Sequence, residues 1–296
     1  MKYRKITLII LFLIISLVVL IAISYKLENK KYDIRETTTI DPNSEITSQD
    51  TDSQKRSIVC FGDSIIGMHR DETSVTSYIA SATGDIVYNV GFGGCRMAEH
   101  PYFGYNEFCM YALAKAITTN DFSVQDSAAA DGSSYFQDQL DLLKSIDFNN
   151  VDVIVIHYGV NDMSGNVRIE NPENRTDTST FRGAMIYSIE TITAAYPHIK
   201  IFVSLPTFHY RTDKSGAVVT SDEYINSIGN TLFDYISVIK SVANEYSLPI
   251  IDSYYGIGVD HTNADNYLAD GIHHNEQGRR RLGEYIAYRL NSELNQ

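Results

Sequence analysis

Apolar and polar positions divide the 296-residue chain into three zones. Ile6 to Ser24 (ITLIILFLIISLVVLIAIS) is a run without a charge. It is apolar on every face, whereas a helix lying on a globular core is apolar along one stripe. At about 1.5 Å per residue it is about as long as the hydrocarbon core of a bilayer is thick. Placed behind Lys2, Arg4 and Lys5, it predicts a single-pass membrane anchor over residues 1–25, with the rest of the chain outside the cytoplasm. The small-x-small triplet Ala22-Ile23-Ser24 leaves an alternative, a signal that is cleaved to release a secreted form. Residues 26–56 are rich in Thr, Ser, Asp and Glu and poor in large apolar side chains. They cannot bury enough surface to fold alone and read as a flexible polar linker.

The third zone, 57–296, alternates two periodicities. Short β-branched runs predict strands at Ser57–Phe61, Asp85–Val90, Val151–His157, Ile199–Leu205 and Leu248–Asp252. Several are almost continuously apolar, as strands covered on both faces are. Helical spacing puts Phe136, Leu140, Leu143 and Ile146 on one face, and Phe181, Met185, Ile189 and Ile192 on another. Ser221 is the expected cap of a long helix carrying Ile225, Ile228, Leu232, Ile236 and Ile239. Asn275 is the expected cap of the last helix, with Leu282, Ile286 and Leu290 inward. This order predicts an α/β fold, a three-layer α/β/α sandwich around about five parallel strands. A sheet of that kind places its site in the loops at the carboxyl ends of its strands.

Charge and composition narrow the function. Twenty-four Lys and Arg stand against 37 Asp and Glu, a net charge of −13. Residues 32–296 alone carry 18 positive and 36 negative side chains. No basic stripe is available for a phosphate backbone, so nucleic acid is not an expected partner. The three cysteines include no CxxC pair, which excludes a zinc ribbon. Cys60 falls in the first strand as a core thiol. Cys95 and Cys109 are either a disulfide pair or two free thiols.

Four loops carry groups with chemistry. Gly62-Asp63-Ser64-Ile65 ends the first strand, where a serine is exposed beside the free N–H groups of any helix that starts there. The plainer reading makes Asp63 or Ser64 a helix cap. Asn89 to Arg96 (NVGFGGCR) ends the second strand, and its glycines let a backbone N–H face a site, or simply make a turn. Neither GxGxxG after the first strand nor GxxxxGK[ST] occurs. Gly159-Val160-Asn161-Asp162 ends the third strand, and an Asn amide there can donate to a developing oxyanion or close an Asx turn. Asp270-Gly271-Ile272-His273-His274-Asn275 precedes the last helix. An Asp and a His three positions apart can bond, fixing the imidazole tautomer and freeing the far nitrogen to take a proton from a serine. Two adjacent histidines also suggest a metal, but the loop offers no Cys and no zinc-ligand spacing, so no metal site is expected.

Taken together, GDSI (Gly62–Ile65), NVGFGG (Asn89–Gly94), GVND (Gly159–Asp162) and DGIHHN (Asp270–Asn275) resemble the four signature blocks of the GDSL/SGNH hydrolase superfamily. They stand in the family's order, and the resemblance spans roughly Ile58 to Leu290. It implies a flavodoxin-like SGNH fold, with Ser64 as nucleophile and Asp270 and His273 as acid and base. Gly94 and Asn161 become the oxyanion donors, with Gly93 an adjacent candidate. Asp63, Gly93 and His209 are expected as substrate contacts, and Tyr210 and Arg211 as further rim residues. The stretch from His100 to Asp147, with Tyr102, Phe103 and Tyr105, shapes the cleft or serves as packing. Two positions depart from the family pattern: His274 stands where many members have Pro, and Ile65 replaces the eponymous Leu.

The implied chemistry is hydrolysis of a carboxylic ester without metal or organic cofactor, with acetylated polysaccharide as the leading substrate. An O-acyltransferase of cell-surface glycans using the same triad is the first alternative, and a non-catalytic glycan-binding surface protein the second. The G-x-S-x-G elbow of α/β-hydrolases is absent, because Gly62-Asp63-Ser64-Ile65-Ile66 breaks it. Oligomeric state is left open by the sequence.

Overall fold

The computed structural model describes residues 55–102, 104–131, 134–213 and 215–295. The chain divides into two units, Met1–Asp52 and Ser53–Gln296. The expected anchor and nearly all of the expected linker lie outside the described residues. Among the described residues no helix is long and apolar enough to cross a membrane.

The strands are β1 (Ser57–Gly62), β2 (Ile86–Gly91), β3 (Val153–His157), β4 (Lys200–Ser204), a hairpin β5 (Tyr210–Thr212) and β6 (Val218–Thr220), and β7 (Ile250–Ile251). Five of them form one parallel sheet in the order β2-β1-β3-β4-β7. The predicted parallel α/β sheet is therefore present. From β1 the chain crosses to β2 on one side and returns to β3 on the other. The switch point thus falls where Gly62 is in register with both Gly91 and His157. In open sheets of this kind the crevice at that point is where ligands bind.

The helices are α1 (Ser64–Gly67), α2 (Val75–Thr83), α3 (Met110–Thr119), α4 (Ser123–Ala130), α5 (Gln137–Ser145), α6 (Val160–Ser164), α7 (Phe181–Ala195), α8 (Leu232–Glu245), α9 (Ser253–Gly256) and α10 (Glu276–Leu294). α10 packs on α2, while α7 packs on α3 and α8. The sequence explains these faces. Leu140 and Leu143 of α5, and Phe181, Met185, Ile189 and Ile192 of α7, are all buried. Asn275 caps α10 by accepting from the Gly278 N–H at 3.1 Å, and Leu282, Ile286 and Leu290 face inward.

One predicted helix begins ten residues late. Ser221 caps nothing: it is buried, its Oγ lies 3.0 Å from the Tyr254 hydroxyl, and α8 starts at Leu232. Between them Asn226 Oδ1 accepts from the N–H groups of Ile228 (3.2 Å) and Asn230 (2.8 Å), and Gly229 sits at φ 87°. That side chain offers the backbone a turn in place of a helix. Ile225 and Ile228 are consequently 63% and 46% exposed. The capping box Thr231–Asp234 then starts the helix.

Candidate active site

Where β1 ends, Asp63 turns the chain into α1. Its Oδ1 accepts from the Ile65 N–H at 2.9 Å, a cap worth about 1 kcal/mol. Asp63 is 1% exposed. Burial pushes its carboxyl up to about 6, against the pull of the Ile65 N–H and of His273. Asp63 thus takes the plainer of its two readings, the cap that presents Ser64.

α1 is then pressed against the second loop. A Cβ on Gly67 would lie 2.3 Å from the Gly91 oxygen, and one on Gly91 would lie 2.4 Å from the Gly67 nitrogen. Asn89 ties the same two segments, donating from Nδ2 to the carbonyls of Ile66 (2.9 Å) and His69 (3.1 Å). Two glycines thus let the serine turn and the Gly-rich turn meet backbone to backbone.

The last block arrives from α10. Ser64 Oγ lies 2.9 Å from His273 Nε2, and His273 Nδ1 lies 2.7 Å from Asp270 Oδ2. Asp270 Oδ1 also accepts from the backbone N–H groups of Ile272 (3.0 Å) and His273 (2.7 Å). Burial raises the Asp270 carboxyl, but these donors outweigh it and hold the group at about 2. A carboxylate facing Nδ1 puts the ring hydrogen there, which leaves the Nε2 lone pair for the serine hydroxyl.

The turn itself depends on Gly271. It sits at φ 86°, and a Cβ there would lie 2.8 Å from both the ring and the carbonyl oxygen of Tyr210. The Tyr210 N–H donates to the Gly271 oxygen at 2.8 Å. The hairpin β5–β6, unforeseen in the sequence, therefore braces the acid–base loop.

The oxyanion side is built by the second and third loops. Gly94 is exposed at φ 76°, and its N–H has no acceptor among the described residues. Asn161, in the first turn of α6, donates from Nδ2 to the Cys95 carbonyl at 3.0 Å, which leaves its second amide hydrogen unspent. The position of a Cβ on Gly93 is 3.8 Å from Ser64 Cβ, so this loop lies beside the nucleophile.

One residue of the site was missed by sequence reasoning. Asp162 is fully buried and accepts from the N–H groups of Met97 (3.0 Å) and Ala98 (3.1 Å). Burial raises its carboxyl to about 7, against those two donors and Arg96. The only sequence signal was its place directly after Asn161.

His209 is buried as well. It is 1% exposed, with its N–H directed to Ser221 Oγ at 3.3 Å. Burial first, then Arg211, holds its imidazole down at about 4. It sits at the base of the hairpin, where its carbonyl accepts from the Ser221 N–H at 2.7 Å. His274 is buried behind His273, with neither ring nitrogen partnered among the described residues, and burial drives it to about 3. His157 is a buried strand histidine as expected, with Nδ1 2.9 Å from Ser204 Oγ.

Cys60 is a core thiol that burial pushes up to about 12, and Cys95 and Cys109 are buried free thiols. The long second-to-third-block stretch supplies packing through Phe108 and Phe136, while Tyr102, Tyr105 and Tyr135 stay exposed. Phe103 lies outside the described residues.

Residues 60–281 match the profile of the GDSL-like Lipase/Acylhydrolase family. No curated protein matches the chain. One crystal structure superposes with TM-score 0.62 and 28% identity, over 80% of this chain and 97% of its own. Est24, a carbohydrate acetylesterase from Sinorhizobium meliloti, superposes with TM-score 0.50 and 15% identity, over 81% of this chain and 100% of its own. The salicylyl-acyltransferase SsfX3 from a tetracycline biosynthetic pathway gives TM-score 0.50 and 13% identity, over 81% of this chain and 55% of its own. At 15% and 13% the likeness is one of fold.

Proposed function

The chain belongs to the GDSL-like lipase/acylhydrolase family and is a carboxylic ester hydrolase, and we propose that it works through Ser64, His273 and Asp270 on acylated glycans or small acyl esters. The observation that carries this reading is the unbroken relay of 2.9 Å from Ser64 Oγ to His273 Nε2 and 2.7 Å from His273 Nδ1 to Asp270 Oδ2. His273 takes the Ser64 proton as Oγ bonds to the ester carbon. The carbonyl oxygen becomes an oxyanion, met by the N–H groups of Ser64 and Gly94 and the free amide hydrogen of Asn161. The ester C–O bond then breaks and the leaving alkoxide takes the proton from His273. Water repeats the sequence on the acyl-enzyme, returning Ser64 and releasing the carboxylic acid.

O-acetyl groups on a polysaccharide are the substrate this reading favours; the Sinorhizobium meliloti protein of the same fold is a carbohydrate acetylesterase. The rival is acyl transfer from the same acyl-enzyme to a sugar hydroxyl. It differs only in what attacks second, and the salicylyl-acyltransferase shares the fold. The uncharged run Ile6–Ser24 supports an anchored enzyme with its catalytic domain outside the cytoplasm.

The test uses the full chain. A fluorophosphonate probe should label wild type and spare Ser64→Ala, which should also lose acetate release from p-nitrophenyl acetate and acetylated glycan. Full turnover by Ser64→Ala would end the proposal, and a non-catalytic glycan binder would show neither labelling nor turnover in wild type. Acylated acceptor in excess of free acetate, with a sugar present, would favour transfer. An anchored protein stays with membranes through a salt wash; a shortened, soluble form would show cleavage near Ser24.

A further inference from the structure

Arg279 is a buried cation that the reaction as described does not use. It sits near the start of α10 and is 8% exposed. Its guanidinium makes three bonds: Nη1 donates to the His274 carbonyl at 3.0 Å, Nε to the Thr73 carbonyl at 2.7 Å and Nη2 to the Thr73 hydroxyl at 3.0 Å. These three acceptors are neutral oxygens. A carboxylate enters one bond further out, where the Thr73 hydroxyl donates to Asp71 Oδ1 at 2.7 Å. Stability does not account for this placement. Burying a charge is costly unless it is paired as well as hydrogen-bonded, and a cation near a helix N-terminus opposes the helix dipole.

What the three bonds make is a crossing between the two halves of the relay. His274 directly follows His273, and its carbonyl lies between the catalytic ring and the first turn of α10. Thr73 lies in the loop that joins α1, which opens with Ser64, to α2. That loop is fixed in turn to the end of β2, because Arg70 donates to the carbonyls of Asn89 (3.2 Å) and Gly91 (2.9 Å). One planar guanidinium therefore joins the segment that carries the base to the segment that carries the nucleophile. The hairpin already holds the acid–base loop at Gly271, through the Tyr210 N–H at 2.8 Å. With Arg279 on the His274 carbonyl, the backbone of His273 is held on both sides.

Proton transfer is sensitive to that spacing. Ser64 Oγ and His273 Nε2 meet at 2.9 Å across two segments far apart in the chain, and a misplacement of about 1 Å can cost about 100-fold in rate. We propose that Arg279 is a positioning residue for the proton transfer: by clamping the His274 carbonyl to Thr73 it sets the approach of His273 Nε2 to Ser64 Oγ. This rests on the serine-hydrolase reading above and adds to it a residue outside the triad. Lysine cannot replace it. A guanidinium reaches three oxygens with three nitrogens in a fixed fork, whereas an ammonium has one nitrogen on a flexible stem.

The experiment uses full-length wild type, Arg279→Lys, Thr73→Ala, Thr73→Ser and the double variant Arg279→Lys/Thr73→Ala. It measures kcat and KM on p-nitrophenyl acetate per fluorophosphonate-labelled Ser64, the rate of that labelling, and melting temperature. Arg279→Lys should lower kcat about tenfold or more with KM within about twofold of wild type, and should slow labelling without changing its final extent. Thr73→Ala should lower kcat by less, and Thr73→Ser, which keeps the hydroxyl and the carbonyl, should restore it. The double variant should fall short of the product of the two single losses, because both cut one tie. Where Arg279→Lys does not fold, Thr73→Ala against Thr73→Ser reads the tie from its other end. Wild-type kcat per labelled serine in Arg279→Lys or, should that variant not fold, in Thr73→Ala would reduce Arg279 to a structural residue and overturn the proposal. A rise in KM at constant kcat, or single losses that multiply in full, would overturn it equally. Each of these outcomes leaves the hydrolase reading intact; wild type that is neither labelled nor active would instead overturn that reading.

Discussion

Asp162 holds Met97 by its backbone: carboxylate Oδ2 accepts the Met97 N–H at 3.0 Å, while Oδ1 takes Ala98 at 3.1 Å. Its neighbour Asn161 donates to the Cys95 carbonyl of the same loop at 3.0 Å. Two consecutive residues of α6 thus fix the segment that follows Gly94, and with it the direction of the Gly94 N–H.

Asp162→Asn should therefore weaken catalysis without touching substrate. An amide can accept only one of the two N–H bonds and turns its own NH₂ towards the other donor. Leaving one buried N–H donor unsatisfied costs about 1–3 kcal/mol. Stability should fall by about that much in urea denaturation. The kcat for p-nitrophenyl acetate should fall about 10–100-fold with KM little changed, as expected when a transition-state donor is misdirected. A rise in KM at constant kcat would assign Asp162 to ground-state binding instead.

Asp270→Asn separates function from stability. The carboxylate is held at about 2 in the fold, below the ordinary 3.8. Its stabilising contribution is present above pH 3.8 and is lost as pH falls through about 2. The side chain is 56% exposed, so solvent screens most of that contribution. The variant should melt within about 2 °C of wild type at pH 7. Its kcat should nevertheless drop by about 10²–10⁴, because an amide does not hold the imidazole tautomer or stabilise the imidazolium. A large melting shift with near-normal turnover would invert these roles.

What the sequence made legible follows from which forces are local. The strands around Cys60 and Val155 were readable because burial on both faces leaves a continuous apolar run. The four loops were readable because the parallel-sheet rule says where their ends gather. Local rivals defeated the rest. The Asn226 turn intercepts a helical pattern through Ile225 and Ile228. The hairpin at Tyr210 has strands of three residues, too short to set a period. His209 looked like a rim residue because exposure depends on the fold around it.

Gly67 and Gly94 should respond oppositely to alanine. At Gly67 a methyl meets the Gly91 carbonyl at 2.3 Å, and backbone cannot step aside. Gly67→Ala should cost about 3 kcal/mol or more, a loss of roughly 6–12 °C in melting temperature. At Gly94 nothing lies within 4 Å of the Cβ position, and only the φ of 76° opposes a side chain. Gly94→Ala should cost about 1–2 kcal/mol and remain folded. Its kcat should still fall, because the strained peptide turns its N–H away from the oxyanion. Equal melting temperatures for the two variants would remove the case for the backbone crossing that seats Ser64.

His209→Gln tests the buried histidines through pH. His157 and His209 are held at about 4, and His274 at about 3, chiefly by burial. In the unfolded chain each titrates near 6.5. Between these values the unfolded state binds protons that the fold excludes, so stability is lost as pH falls from 6.5 towards 4. Asp63 and Asp162 act in the opposite sense. Their folded values of about 6 and 7 lie above the ordinary 3.8, so the fold keeps protons that the unfolded chain releases, and stability is gained as pH falls through the same window. Wild-type stability should accordingly change less between pH 4 and 6 than either set alone would dictate. Replacing His209 with glutamine removes one acid-labile group and leaves the carboxyls. Measured by urea denaturation, the cost of the substitution at pH 7.5 should shrink by about 2 kcal/mol at pH 5, where wild type alone must keep that imidazole neutral. Parallel curves across the range would mean that His209 is protonated in the fold, and that the space beneath the hairpin is open to water.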